Sequence, residues 1–173
     1  MINIAIIKDS DIGYECSQLS NPKIRYASRG IVIKDNKIAI LNKAKKNEFK
    51  LPGGGIENNE TPEEAFKREV LEETGCEINI IKCLGIIEEH KTLANFKQIS
   101  YVFVGEVTKD TNECHFTKKE SDEGATLIWA TPKDGLELIT NCFDKIIGSK
   151  YENEYQTKFI VYRDKIILES YFN

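Results

Sequence analysis

Apolar and polar residues change period several times along the chain, and each change marks an element. Residues 28–44, SRGIVIKDNKIAILNKA, hold two β-branched runs joined by Asp35 and Asn36, which predicts a hairpin. Residues 76–90 (CEINIIKCLGIIEEH) and 96–108 (FKQISYVFVGEVT) predict two longer strands, and 125–131 (ATLIWAT) a short one. LPGGG, at 51–55, breaks the chain. Apolar residues at Phe159, Tyr162, Ile166 and Ile167 favour a closing helix, and residues 132–149 look helical in pieces. The first 26 residues are the least legible, an N-terminal extension in which INIAII could form an edge strand before a turn-rich connection. Strands and helices interleave, but with a hairpin and adjacent strands. That predicts an α/β fold with a mixed sheet covered by helices, in a single domain over 1–173.

The remaining element carries the chemistry. Thr61-Pro62-Glu63-Glu64 is a helix start, with Thr61 as N-cap, Pro62 at the first helical position and Glu64 completing a capping box. Gly75 is the expected stop, so a helix should span 62–74. Glu60, Glu63 and Glu64 suit the positive end of its dipole. Glu69, Glu72 and Glu73 do not, because they crowd the negative end on one face. Arg68 can pair with Glu64 or Glu72, which leaves Glu69 and Glu73 facing each other without a partner on the helix. At about 4 Å two such carboxylates repel by roughly 4 kcal/mol at an effective dielectric of 20. A hard divalent cation resolves the conflict, and a solvated acidic face is the plainer alternative.

The bulk numbers narrow the setting. A length of 173 residues with a net charge of −4 describes an ordinary globule with no overall attraction to nucleic acid or an anionic membrane. No secretory leader and no membrane-length apolar run is visible, and five scattered cysteines without a C-x-x-C pair are expected as free thiols in a reducing cytoplasm. His90 and His115 lack ligand spacing. GGGIEN is not a dinucleotide-binding glycine loop, and the segment from Asp9 lacks the later ligands of a calcium loop.

Gly54, Glu60, Arg68, Glu69, Val70, Glu72, Glu73 and Gly75, closed by Cys76, fit the spacing G-x5-E-x7-R-E-U-x-E-E-x-G-U, in which U is apolar. This resembles the Nudix box, the signature of the Nudix (MutT-like) hydrolases, and FKLPGGGIE resembles the approach to it, with Phe49 where tryptophan is common. The resemblance implies an α/β/α sandwich and hydrolysis of the pyrophosphate linkage in a nucleoside diphosphate joined to another moiety, with Mg2+ or Mn2+ as cofactor. It implies Glu69, Glu72 and Glu73 as metal ligands and catalytic acids, Gly54 as a carbonyl ligand, and Arg68 and Glu60 as structural support. A further acid from a later loop would be Glu123, then Glu120. Arg29, Lys43 and Lys50 (with Arg25 nearby in sequence) are candidates to steady phosphates, although surface solubility is the commoner role for such residues. Trp129, Phe49, Tyr101 and Phe103 could stack a base, although strand aromatics are more often core. The expected partner is a small-molecule nucleotide, and a homodimer is compatible with the resemblance. Signatures of the NADH, coenzyme A, ADP-ribose and diadenosine polyphosphate subfamilies are missing, so the substrate stays open among nucleoside triphosphates, nucleotide sugars and similar compounds. A silent nucleotide sensor is the rival reading. Replacing Glu72 or Glu73 by Gln should cost activity and relieve repulsion.

Overall fold

The computed structural model describes residues 1–46, 48–146 and 153–172. One mixed sheet organises them. Its strands are β1 (Asn3–Lys8), β2 (Lys23–Lys34), β3 (Lys37–Lys43), β4 (Glu48–Lys50), β5 (Gly53–Gly55), β6 (Cys76–Lys91), β7 (Phe96–Asp110) and β8 (Ala125–Ala130). The main path runs β1-β6-β7-β2-β3-β4, with β5 paired to β2 and β8 to β3. β1 joins β6 and β2 joins β7 in parallel, and the β6–β7, β2–β3, β2–β5 and β3–β8 pairs are antiparallel. The predicted hairpin is β2–β3. Asp35 (φ 50°) and Asn36 (φ 61°) both take the left-handed conformation that a tight two-residue turn demands.

Among the described residues, four α-helices complete the fold: α1 (Pro62–Thr74), α2 (Lys118–Asp122), α3 (Pro132–Phe143) and α4 (Glu154–Phe172). α1 has the predicted bounds, capping box and left-handed Gly75 stop. It packs Phe66 and Val70 against Val32, Ala39, Ile78 and Phe103 on one face of the sheet. The other face packs Ile31, Ile87, Val102 and Val104 against Ile139 of α3 and Phe159 and Ile167 of α4. Alternation along β7 sends Phe103 to the α1 side and its neighbours Val102 and Val104 to the other, which is why these strands read as apolar runs. The α/β layering expected from the sequence is present. Residues 147–149 of the segment expected to be helical in pieces lie outside the described residues.

β1 is an edge strand of the same sheet, as the INIAII run allowed, so this part of the N-terminal segment is built into the fold. Other elements differ from the expectation. The glycines at 53–55 break no sheet. They form β5, with Gly53 opposite Arg29 and Gly54 opposite Ser28. A Cβ on Gly53 would lie 2.4 Å from the Arg29 Cβ, so only glycine permits this approach. The acidic stretch before β8, expected as a loop, folds as the short helix α2, capped by Thr117 and Glu120.

Candidate active site

α1 is aimed at the site by its caps. Thr61 accepts from the Glu64 amide, and Glu64 accepts from the Thr61 amide and hydroxyl. Glu64 is thereby taken, and Arg68 does not use it. Arg68 donates instead to Glu60 through Nε (2.8 Å), to Glu69 (2.9 Å) and Glu72 (3.4 Å) through Nη1, and to the Gly55 carbonyl. One guanidinium therefore gathers three acids and ties α1 to β5. These bonds push the Arg68 pKa up and, with the Glu57 amide, hold the Glu60 carboxyl below its usual range.

The unpartnered Glu69–Glu73 pair is not what the structure contains. Glu69 has Arg68. Glu73 is only 3% exposed, and its partners come from outside the helix. Lys50 Nζ lies 2.8 Å from one carboxylate oxygen, and the Gly53 amide donates to the other at 2.7 Å. Burial raises the Glu73 pKa, with Lys50 opposing. Sequence spacing on a helix cannot reveal a counter-charge delivered by β4. Glu72 is the open member of the set, its side chain 45% exposed.

Glu69, Glu72 and Glu73 line a single cleft of about 630 Å³, together with Gly54, Arg68, Arg29, Lys43, Lys50 and Glu120. That volume suits a small-molecule ligand. Glu123 is not part of the lining. Its carboxylate is held by Lys43 at 2.9 Å and Lys46 at 3.1 Å, and both lysines do face the cleft. Glu120 faces the cleft and lies 4.0 Å from Lys43. Of the proposed stacking aromatics, Phe103 is buried against Phe66, Trp129 and Tyr101 pack on the α1-side core, and Phe49 packs on the opposite core. Among the described residues the aromatic in the cleft is Phe96, which its position at the start of β7 did not signal.

The acids fit a divalent cation in kind. They are hard oxygen donors on one wall. The Glu69 carboxylate presses on Gly54 so closely that a Cβ there would lie 2.3 Å from its oxygen. A cation, the Lys50 ammonium, already sits against Glu73. Among the described residues no three acids converge on one point, since Glu73 turns to Lys50.

Comparison with known proteins agrees with this geometry. The NUDIX domain model matches residues 25–145. An ADP-ribose pyrophosphatase of Methanocaldococcus jannaschii is 43% identical over 82 residues, covering 45% of this chain and 48% of that one, so the match spans about half the relative's length. A NUDIX hydrolase from Nitrosomonas europaea superposes with a TM-score of 0.57 at 16% identity, covering 82% of this chain and 89% of that one. A UDP-X diphosphatase superposes with a TM-score of 0.55 at 18% identity, covering 90% and 66%. A box motif on a capped helix, a mixed sheet between helices and a family match over most of the chain lead to one conclusion: this chain belongs to the NUDIX family.

Proposed function

We propose that this protein is a divalent-metal-dependent hydrolase that cleaves the pyrophosphate linkage of a nucleoside diphosphate joined to another moiety. The observation that carries the reading is the mixed lining of one cleft. The three carboxylates of α1 share it with Arg29, Lys43 and Lys50, as a metal-bridged polyanion would require. The names of two relatives, an ADP-ribose pyrophosphatase and a UDP-X diphosphatase, point to the same bond type.

Glu69, Glu72 and the Gly54 carbonyl would hold the ion, with Glu73 joining them once Lys50 gives way, and the oxygen donors favour Mg2+ or Mn2+. When bound, it supplies charge neutralisation at the phosphates and a more acidic water. Arg68 and Glu60 keep the acids oriented. Lys43, and Lys50 once the ion replaces it at Glu73, would offset phosphate charge, and Arg29 adds positive charge to the floor. Glu120 is the better candidate for the acid that takes the water's proton, because it faces the cleft. Glu123 is better read as the residue that positions Lys43 and Lys46. The reading includes a single domain, since β1 and α4 share the sheet and core of the matched region. It also includes a cytoplasmic setting, supported by five free cysteines. No described helix is long and apolar enough to cross a membrane. A homodimer is part of the reading, and native mass measurement tests it.

The test is release of phosphate-containing products from nucleoside triphosphates, ADP-ribose and UDP-sugars with Mg2+ or Mn2+. Turnover of at least one that is lost in Glu72→Gln supports the reading. Tight binding of one with no turnover of any favours the sensor.

A further inference from the structure

The cleft continues beyond the glutamates of α1. Its far wall is α4, which follows the stretch matched by the family model, and Gln156, Ile160 and Arg163 of α4 line it. Its floor includes Arg29 of β2, held in register between Gly53 of β5 and Val102 of β7.

Arg29 is 5% exposed, yet its Nε has no hydrogen-bond partner and no described carboxylate forms an ion pair with it. Its neighbours are served differently. Lys50 has Glu73, Lys91 has Glu89 at 3.1 Å, and Arg163 has Glu89 at 3.2 Å and Asp164 at 2.8 Å. Arg163 itself, 1% exposed, still leaves Nη2 without an acceptor. Burying a cation without a partner is costly, and a fold that retains one is poised for a ligand to supply the counter-charge. Two guanidinium groups with spare N–H donors, both facing one cleft, suit an oxyanion.

The acids of α1 supply no partner to either guanidinium. Burial and the Arg163 guanidinium together push the Arg29 pKa down to about 10, against the opposing pull of Asp164, Glu89 and Glu73. Arg29 shares the cleft with Arg163 of α4, and no described acid of α1 forms an ion pair with either. The acids of α1 already have Arg68 and Lys50.

We propose that Arg29 and Arg163 form an anion subsite, separate from the acid set of α1, that takes a phosphate or carboxylate carried by the moiety beyond the diphosphate. This rests on the hydrolase reading and narrows it to nucleoside diphosphates whose second moiety is itself acidic.

The experiment uses the full chain. In EDTA, inorganic phosphate is titrated by calorimetry and by its effect on Tm. Wild type and Glu72→Gln should bind it saturably and be stabilised. Arg29→Met should melt higher than wild type without phosphate, because a buried unpaired charge is gone, and should lose the response. Arg29→Lys keeps the charge without the planar fork and should bind roughly tenfold more weakly. Phosphate affinity unchanged in both Arg29 variants overturns the subsite. With Mg2+, UDP-glucuronate should exceed UDP-glucose in kcat/KM by about tenfold, the worth of one charge-assisted contact, and Arg29→Met should erase the preference. Equal kcat/KM in wild type overturns the assignment to the second moiety. If no nucleotide is hydrolysed while phosphate still binds through Arg29, the hydrolase reading fails and the subsite stands.

Discussion

Replacing Glu73 by Gln separates a helix read alone from a helix in its fold. On the helix alone, neutralising Glu72 or Glu73 relieves repulsion, and both variants should be at least as stable as wild type without metal. In the fold the two differ. Glu73 is buried, ion-paired to Lys50 at 2.8 Å and bonded to the Gly53 amide at 2.7 Å. Glutamine can still accept from Gly53, but it leaves the buried Lys50 ammonium without its ion-pair partner. Breaking a buried pair from one side costs about 3–5 kcal/mol. For a chain of this size each kcal/mol moves Tm by about 2–4 °C, so Glu73→Gln should melt roughly 6–20 °C lower. Glu72 has an exposed side chain and a 3.4 Å contact to Arg68. Surface pairs are worth about 0–1 kcal/mol, so Glu72→Gln should stay within roughly 4 °C of wild type. Thermal melts followed by circular dichroism in EDTA read both. Adding Lys50→Met to Glu73→Gln should recover most of the loss, because the stranded charge is removed. A Glu73→Gln protein that melts at or above wild type would refute the reasoning. Both single variants should lower kcat by orders of magnitude with metal present.

Other consequences follow from the same contacts. Glu120→Gln should lower kcat by about 10²–10⁴ and flatten the acid limb of the pH–rate profile, whereas Glu123→Gln should act mainly on KM by freeing Lys43 and Lys46; the reverse pattern would restore Glu123 as the base. Arg68→Met should soften the acid side of the stability curve. Arg68 depresses the Glu60 carboxyl in the folded state, so that contribution is present above the ordinary value of 4.5 and is lost as pH falls through the folded value. Urea melts between neutral pH and the acid range read this as a shallower decline in the variant. Removing divalent ions with EDTA should abolish turnover, and Mg2+ or Mn2+ should restore it; activity that persists in EDTA would remove the acids of α1 from a metal-binding role.

The elements legible from sequence were those fixed by neighbours a few residues away. Thr61 and Glu64 close the cap of α1 within one turn, and Gly75 stops it locally, so its bounds were readable. The β2–β3 turn was readable because Asp35 and Asn36 tolerate positive φ. β5 was missed for the opposite reason. Three glycines have no strand propensity of their own, and they extend here because β2 offers a ladder and Arg29 excludes any side chain at Gly53. β1 was weak as a signal because its partner, β6, lies about eighty residues away.

The site divides along the same line. The acids announced themselves because their spacing is local and their repulsion unfavourable, so a short window held both the pattern and the puzzle. The cations did not, because what distinguishes Lys50 from Arg29 is long-range. Lys50 meets Glu73, 23 residues on, and becomes half of a neutral pair. Arg29 shares the cleft with Arg163, far along the chain, whose ion pairs to Glu89 and Asp164 still leave its Nη2 without an acceptor. From sequence both are basic residues near an acidic helix, with the same modest prospects. In the folded cleft one is balanced and the other is not, and the unbalanced one is where a ligand's charge contributes most.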